Sequence, residues 1–123
     1  MEPMKIMFVW GIEHWIMKDL PTKDWVHQFD NYTQTNHKRS TITDINASEF
    51  DKKVCLDGWF VPSMPDLNQS NPLVLNYLKQ NAIWWIEYAN VDGFRVDTYN
   101  YSDPKGIASW TKAITNGVLA KRQ

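Results

Sequence analysis

The strongest constraint on the fold is a change of hydrophobic period over residues 71–117. Asn71 suits a helix cap and Pro72 a first helical position, and Val74, Leu75, Leu78, Ala82, Trp85, Ile86 and Ala89 recur at helical spacing. The spacing predicts a helix of about eighteen residues, broken by Asn90-Val91-Asp92-Gly93. The next stretch, Gly93 to Tyr99, switches to a period of two, with Phe94 and Val96 on one side and Arg95, Asp97 and Tyr99 on the other. This is the pattern of a strand. After a turn over Asn100 to Asp103, Pro104 opens a second amphipathic helix with Ile107, Trp110 and Ile114 on one face, expected to stop at Asn116-Gly117.

Upstream, Lys5 to Trp10 is a short apolar run ended by Gly11, which suits a strand buried on both faces. From Gly11 to Gln69 no sustained period is visible and turn formers recur, among them Leu20-Pro21, Asp57-Gly58 and Met64-Pro65. A loop of that length inside a compact domain is a functional excursion or a small inserted subdomain. The order strand, excursion, helix, strand, helix is a βαβα unit of a parallel α/β fold, with the excursion leaving the carboxyl end of the first strand.

Composition narrows the partners. The 123 residues carry 13 basic and 14 acidic side chains for a net charge of -1, so no electrostatic footprint for nucleic acid or an anionic membrane surface is present. No run is long and apolar enough for a membrane span. The lone Cys55 cannot form an internal disulfide or a cysteine metal cluster and reads as a small buried apolar side chain. His27 and His37 lack metal-site spacing and read as solvated loop residues. Seven Trp, five Tyr and five Phe remain, which serve equally a core and a polyol-binding surface. Trp10, Trp15, Trp25 and Trp59 lie in polar segments that favour the second use.

The chemistry concentrates on the second predicted strand. Burying a carboxylate and a guanidinium on one face costs several kcal/mol each before pairing. By spacing alone, Arg95 and Asp97 fit either a structural bridge or a catalytic assignment.

Asp92-Gly93-Phe94-Arg95-Val96-Asp97-Thr98-Tyr99 resembles the Gly-Phe-Arg-x-Asp signature of the alpha-amylase family of glycoside hydrolases. Met64-Pro65-Asp66-Leu67-Asn68, followed by Asn71-Pro72, resembles that family's conserved segment near the end of the domain inserted after the third barrel strand. His14-Trp15, Trp25 and Asp57-Gly58-Trp59 are closest in character to neopullulanase and cyclomaltodextrinase-like members. The resemblance implies an α/β fold, a partial TIM (β/α)8 barrel with an inserted irregular domain after the third strand. Residues 1–10 would be the third-strand remnant, 11–69 the inserted loop-rich domain, and 70–123 the third helix, fourth strand and fourth helix.

The resemblance implies retaining hydrolysis of alpha-glucosidic bonds in starch-like or malto-oligosaccharides, with Asp97 as nucleophile and Arg95 orienting it. Tyr99, Asp66, Asn68 and His14 become candidate sugar contacts, with turn, loop or packing roles as the alternative for the last three. The family's general-acid glutamate, on its fifth strand, has no counterpart, so the chain is expected to be a fragment and inactive alone. An oligomeric partner or completing barrel strands would cover its open edges. Two rival expectations are a noncatalytic carbohydrate-binding module working through Trp15, Trp25 and Trp59, and an inactive truncated product. No cofactor is required by the sequence. Calcium belongs to many family members, yet the third-strand Asp-x-x-x-Asn-His motif is scrambled here into Met7-Phe8-Val9-Trp10-Gly11-Ile12-Glu13-His14. The compartment is left open, a periplasmic or extracellular bacterial parent being compatible.

Overall fold

The structure, a computed structural model, describes residues 22–122. The predicted first strand, His14, Trp10 and Trp15 lie outside the described residues.

Residues 22–71 close on a small core of their own. A 3-10 turn at Lys23–Trp25 is followed by another at Arg39–Ile42 and by helix α1, Glu49–Asp57. The excursion was expected to lack regular structure, so α1 is a correction, and its cause is local. Ser48 sits in the extended region and its hydroxyl accepts from the Asp51 amide at 3.1 Å, while Glu49 and Asp51 place negative charge on the first turn. Gly58 ends the helix, and a Cβ there would lie 2.5 Å from the Thr35 Cα. Only glycine lets the two backbones meet, and they do: Thr35 N donates to Trp59 O at 2.8 Å and Trp59 N to Thr33 O at 3.0 Å. A second bridge, antiparallel, joins Val26 to Leu67. Val26, Thr35, Cys55 and Trp59 are buried between them. Cys55 is fully enclosed, as its residue type suggested, and burial pushes its thiol pKa up.

Helix α2 spans Pro72–Ala89, with the Asn71 side chain accepting from the Leu73 amide at 3.0 Å and Asn90 in the left-handed region closing it. Both ends fall where the sequence put them. Of the expected core face, Val74, Ala82 and Ile86 are buried, whereas Trp85 and Ala89 are exposed. Helix α3 runs Pro104–Arg122, and the Asp103 carboxylate accepts from the Gly106 amide as its cap. It passes through Gly117, where a stop was expected. Gly117 lies against α2 instead, where an added Cβ would sit 3.4 Å from Ile83 Cγ1.

The two helices run parallel. Gly106 lies beside Gln69, Trp110 Nε1 donates to Leu78 O at 3.2 Å, and Lys121 Nζ donates to Ile86 O and Glu87 O at 2.6 and 2.8 Å. Lys121 thus satisfies carbonyls that the end of α2 leaves open. Parallel neighbours force the chain between them to return along α2, a distance of roughly 27 Å for eighteen residues at 1.5 Å each. At about 3.3 Å per extended residue, eight or nine residues are needed, which occupies most of the run from Val91 to Ser102. The topology therefore demands a stretched segment where the alternation was read.

No strand forms among the described residues, which corrects the assignment of Gly93 to Tyr99. Phe94 to Val96 carry no ladder, and a 3-10 turn already begins at Tyr99–Tyr101. A strand is stabilised by hydrogen bonds to its neighbours, and among the described residues none pairs with this segment.

Candidate functional site

The return segment presents two chemically distinct sides. Phe94, Val96 and Tyr99 line a groove of about 340 Å³ with Trp110, Thr111 and Ile114 of α3. The Phe94 and Trp110 rings meet edge to face with centroids 6.1 Å apart, and the Tyr99 hydroxyl lies 3.5 Å from Thr111 Oγ1. Phe94 and Val96 thus face a helix, as their alternation implied, whereas Tyr99, expected on the side of Arg95 and Asp97, turns to the same helix once the chain kinks at Thr98. Arg95 and Asp97 are exposed, and among the described residues no ion pair joins them. Asp97 Oδ1 accepts from the following amide, Thr98 N, at 2.9 Å.

Thr98 itself is left-handed, at φ 54° and ψ 27°. A β-branched residue rarely adopts this region, at a cost of order 1–3 kcal/mol, and such residues cluster at functional sites. The kink turns the chain out of its stretched path directly after Asp97 and starts the Tyr99–Tyr101 turn. No local signal announces it, since threonine after an alternating run reads as more strand. Tyr99 also borders a second groove of about 520 Å³ between this turn and the Arg39–Ile42 turn, with Ser40, Thr43, Asn100 and Ser102 on its walls.

Of the expected site residues among those described, only Tyr99 lines these grooves; Asp97, Arg95, Asp66 and Asn68 line neither. Asp66 Oδ2 is 2.6 Å from His27 Nδ1, and His27 Nε2 is 3.5 Å from Asp57 Oδ1. His27 is therefore a part-buried bridge between two carboxylates, which corrects its reading as a solvated loop residue. Burial raises the Asp66 carboxyl pKa, an effect that the His27 hydrogen bond and charge oppose. Asn68 Nδ2 donates to Asp24 O at 2.9 Å and its Oδ1 accepts from Ser70 N at 3.1 Å. Both side chains spend their hydrogen bonds on the protein.

Two tryptophans of the excursion are engaged by the protein, although the buried Trp25 Nε1 finds no acceptor and Phe50 is exposed. Trp59 is buried and its Nε1 donates to His27 O at 2.8 Å, while Trp25 meets Tyr77 edge to face at 5.9 Å. His14 and Trp15 fall outside the described residues. The described residues gather no group of three or more His, Cys, Asp or Glu side chains that would hold a metal. None of their helices is long and apolar enough to cross a membrane.

A helix pair flanking a return segment with a carboxylate near its end is an arrangement of parallel α/β folds. Comparison with known proteins gives the family: the model of the alpha-amylase catalytic domain matches residues 7–115, and the chain belongs to that family. It is similar to the cyclomaltodextrinase of Geobacillus thermopakistaniensis, 46% identical over 55 residues, covering 45% of this chain and 9% of that protein. It is also 34% identical over 95 residues to the intracellular maltogenic amylase of Bacillus subtilis, covering 76% of this chain and 13% of the relative. Among solved structures, the alpha-amylase of Geobacillus thermoleovorans complexed with acarbose superposes with a TM-score of 0.60 at 31% identity, over 85% of this chain and 20% of the other. The family resemblance read from Gly93 to Tyr99 is thus confirmed, and with it a fold related to the TIM barrel. The chain spans about a tenth of the length of those curated relatives.

Proposed function

We propose that this chain carries the nucleophile-bearing part of a retaining glycoside hydrolase acting on alpha-glucans such as malto-oligosaccharides. The observation that carries the proposal is the two-sided return segment, in which Phe94 and Val96 turn to α3 while Asp97 stays solvent-accessible, within the span matched to the alpha-amylase catalytic domain. Relatives named for cyclomaltodextrin and maltogenic activity, and a neighbour complexed with acarbose, supply the substrate class.

In this reading Asp97 attacks the anomeric carbon, the glucosidic oxygen leaves, and water later hydrolyses the covalent glycosyl-enzyme. Arg95, two residues earlier, orients the Asp97 carboxylate in the assembled site. Tyr99, which borders the grooves on either side of the turn after Asp97, is the neighbouring candidate for sugar contact. Asp66 and Asn68 serve by fixing the insert, through His27 and Asp24, and not by touching sugar. The leaving oxygen needs a proton from a second carboxylic acid about 5 Å from Asp97, which other barrel segments would supply.

A donor whose leaving group needs no proton isolates the nucleophile. Incubation with a 5-fluoro alpha-maltosyl fluoride should produce one covalent adduct, found by peptide mass mapping on Asp97 and missing from Asp97→Asn. A folded chain that gains no adduct, or gains it on another residue, refutes the assignment.

A further inference from the structure

The segment after Asp97 is held by α3 through Tyr99 and Thr111, and by the insert through contacts far apart in sequence on Tyr101. The Tyr101 ring meets Phe60 edge to face at 4.9 Å and His37 at 5.9 Å, the Arg39 guanidinium lies 5.7 Å over its face, and its hydroxyl is 3.5 Å from His37 Nδ1. Phe60 and His37 also meet each other at 5.3 Å. Three insert side chains therefore surround one ring from the turn that follows the candidate nucleophile.

Both ends of this contact are anchored. On the insert side, His37 is itself left-handed, at φ 57°, and its amide donates to Thr35 Oγ1 at 3.3 Å. That hydroxyl is buried and donates to Cys55 O at 3.1 Å, while Phe60 follows Trp59 of the same core. On the other side, Tyr101 N donates to Thr98 O at 2.9 Å, closing the turn over the strained threonine. The Thr98 amide in turn donates to the Asp97 carboxylate. An unbroken series of contacts thus runs from the insert core to Asp97.

A strained left-handed residue persists only where its surroundings over-determine it. Within the turn, the short-range hydrogen bonds would be as well satisfied by water, and the outside contacts on Tyr101 come from the insert. We propose that Phe60, His37 and Arg39 form an aromatic clasp on Tyr101, making Tyr101 a positioning residue that keeps Thr98 left-handed and so fixes the direction of the Asp97 carboxylate. The function of the clasp rests on Asp97 being the nucleophile, but its geometry does not. The inserted domain would then contribute to catalysis by aiming the nucleophile.

The test is NMR of the folded chain, following the Thr98 Cα and Cβ shifts and the Asp97 carboxyl carbon. Tyr101→Leu and Phe60→Leu should each move Thr98 away from left-handed values and displace the Asp97 carboxyl signal. Tyr101→Phe, which keeps the ring, should leave both in place. If Thr98 and Asp97 signals are unchanged in Tyr101→Leu, or in Phe60→Leu should Tyr101→Leu not fold, the clasp is refuted. Covalent trapping separates the two proposals: Tyr101→Leu should label on Asp97 about tenfold or more slowly than the parent. A parent that never labels defeats the nucleophile assignment while the NMR result still decides the clasp.

Discussion

The insert and the helix pair solve the burial problem differently. Residues 22–71 have few apolar side chains to hide, and close on Cys55 and Trp59 with hydrogen bonds that cross the core, such as Thr35 to Cys55 and Trp59 to His27. Helices α2 and α3 have more apolar surface than they cover. Trp84, Trp85 and Tyr88 are 49%, 44% and 74% exposed, and they turn to one another, Trp84 stacking on Tyr88 at 4.6 Å. The insert is specified by directional contacts at single positions, whereas the helix pair is specified by area, which tolerates change at any one position. The three rings form one contiguous exposed aromatic face.

If that contrast holds, the largest effect of a single small change belongs to Gly58. Gly58→Val sets its Cβ 2.5 Å from both the Thr35 Cα and Val54 O, atoms of the backbone that cannot step aside. A loss of about 4 kcal/mol or more is expected, enough to unfold the insert. Near-ultraviolet circular dichroism should lose the signal of buried Trp59, while the far-ultraviolet signal of α2 and α3 survives. Loss of both together would break the comparison, because the two regions would then be one cooperative unit.

A smaller effect separates the regions by pH. Burial raises the folded-state pKa of Asp66, so its contribution favours folding fully below the ordinary carboxylate value of about 3.9 and is lost as pH rises through the folded value. Asp66→Asn keeps an acceptor for His27 and removes the titration. The insert of the parent chain should therefore lose melting temperature relative to Asp66→Asn as pH rises from about 4. A constant difference between the two across that range would show that the carboxylate is not the titrating group.

What the sequence revealed follows the same division. Helix α2 was legible to the residue, because Asn71-Pro72 and the period of its apolar positions are local signals. Helix α1 was missed although Ser48 caps it, since Val54, Cys55 and Leu56 are contiguous and show no helical period. The role of His27 was invisible because Asp66 is 39 residues away, and the clasp because His37 and Tyr101 are 64 apart. Arg95 and Asp97 were found through resemblance to a family motif, whereas the left-handed Thr98 between Asp97 and Tyr99 contradicts its own propensity and could not be read. Where local preference and tertiary need agree, the sequence speaks; at the candidate site they disagree.

Gly117 tests that rule with the smallest expected effect. Read locally, Asn116-Gly117 is a helix stop, and glycine there would be a left-handed cap that any other residue destabilises. In the structure Gly117 is in mid-helix, no positive φ is recorded at any described glycine, and an added Cβ meets Ile83 at 3.4 Å, an ordinary contact. Alanine then gains helix propensity and a van der Waals contact without strain. Gly117→Ala should stabilise α3 by about 0.5–1 kcal/mol, seen as a higher melting temperature by far-ultraviolet circular dichroism. Destabilisation of similar size would restore the local reading, ending α3 near Asn116 and leaving Lys121 unable to reach the carbonyls of Ile86 and Glu87.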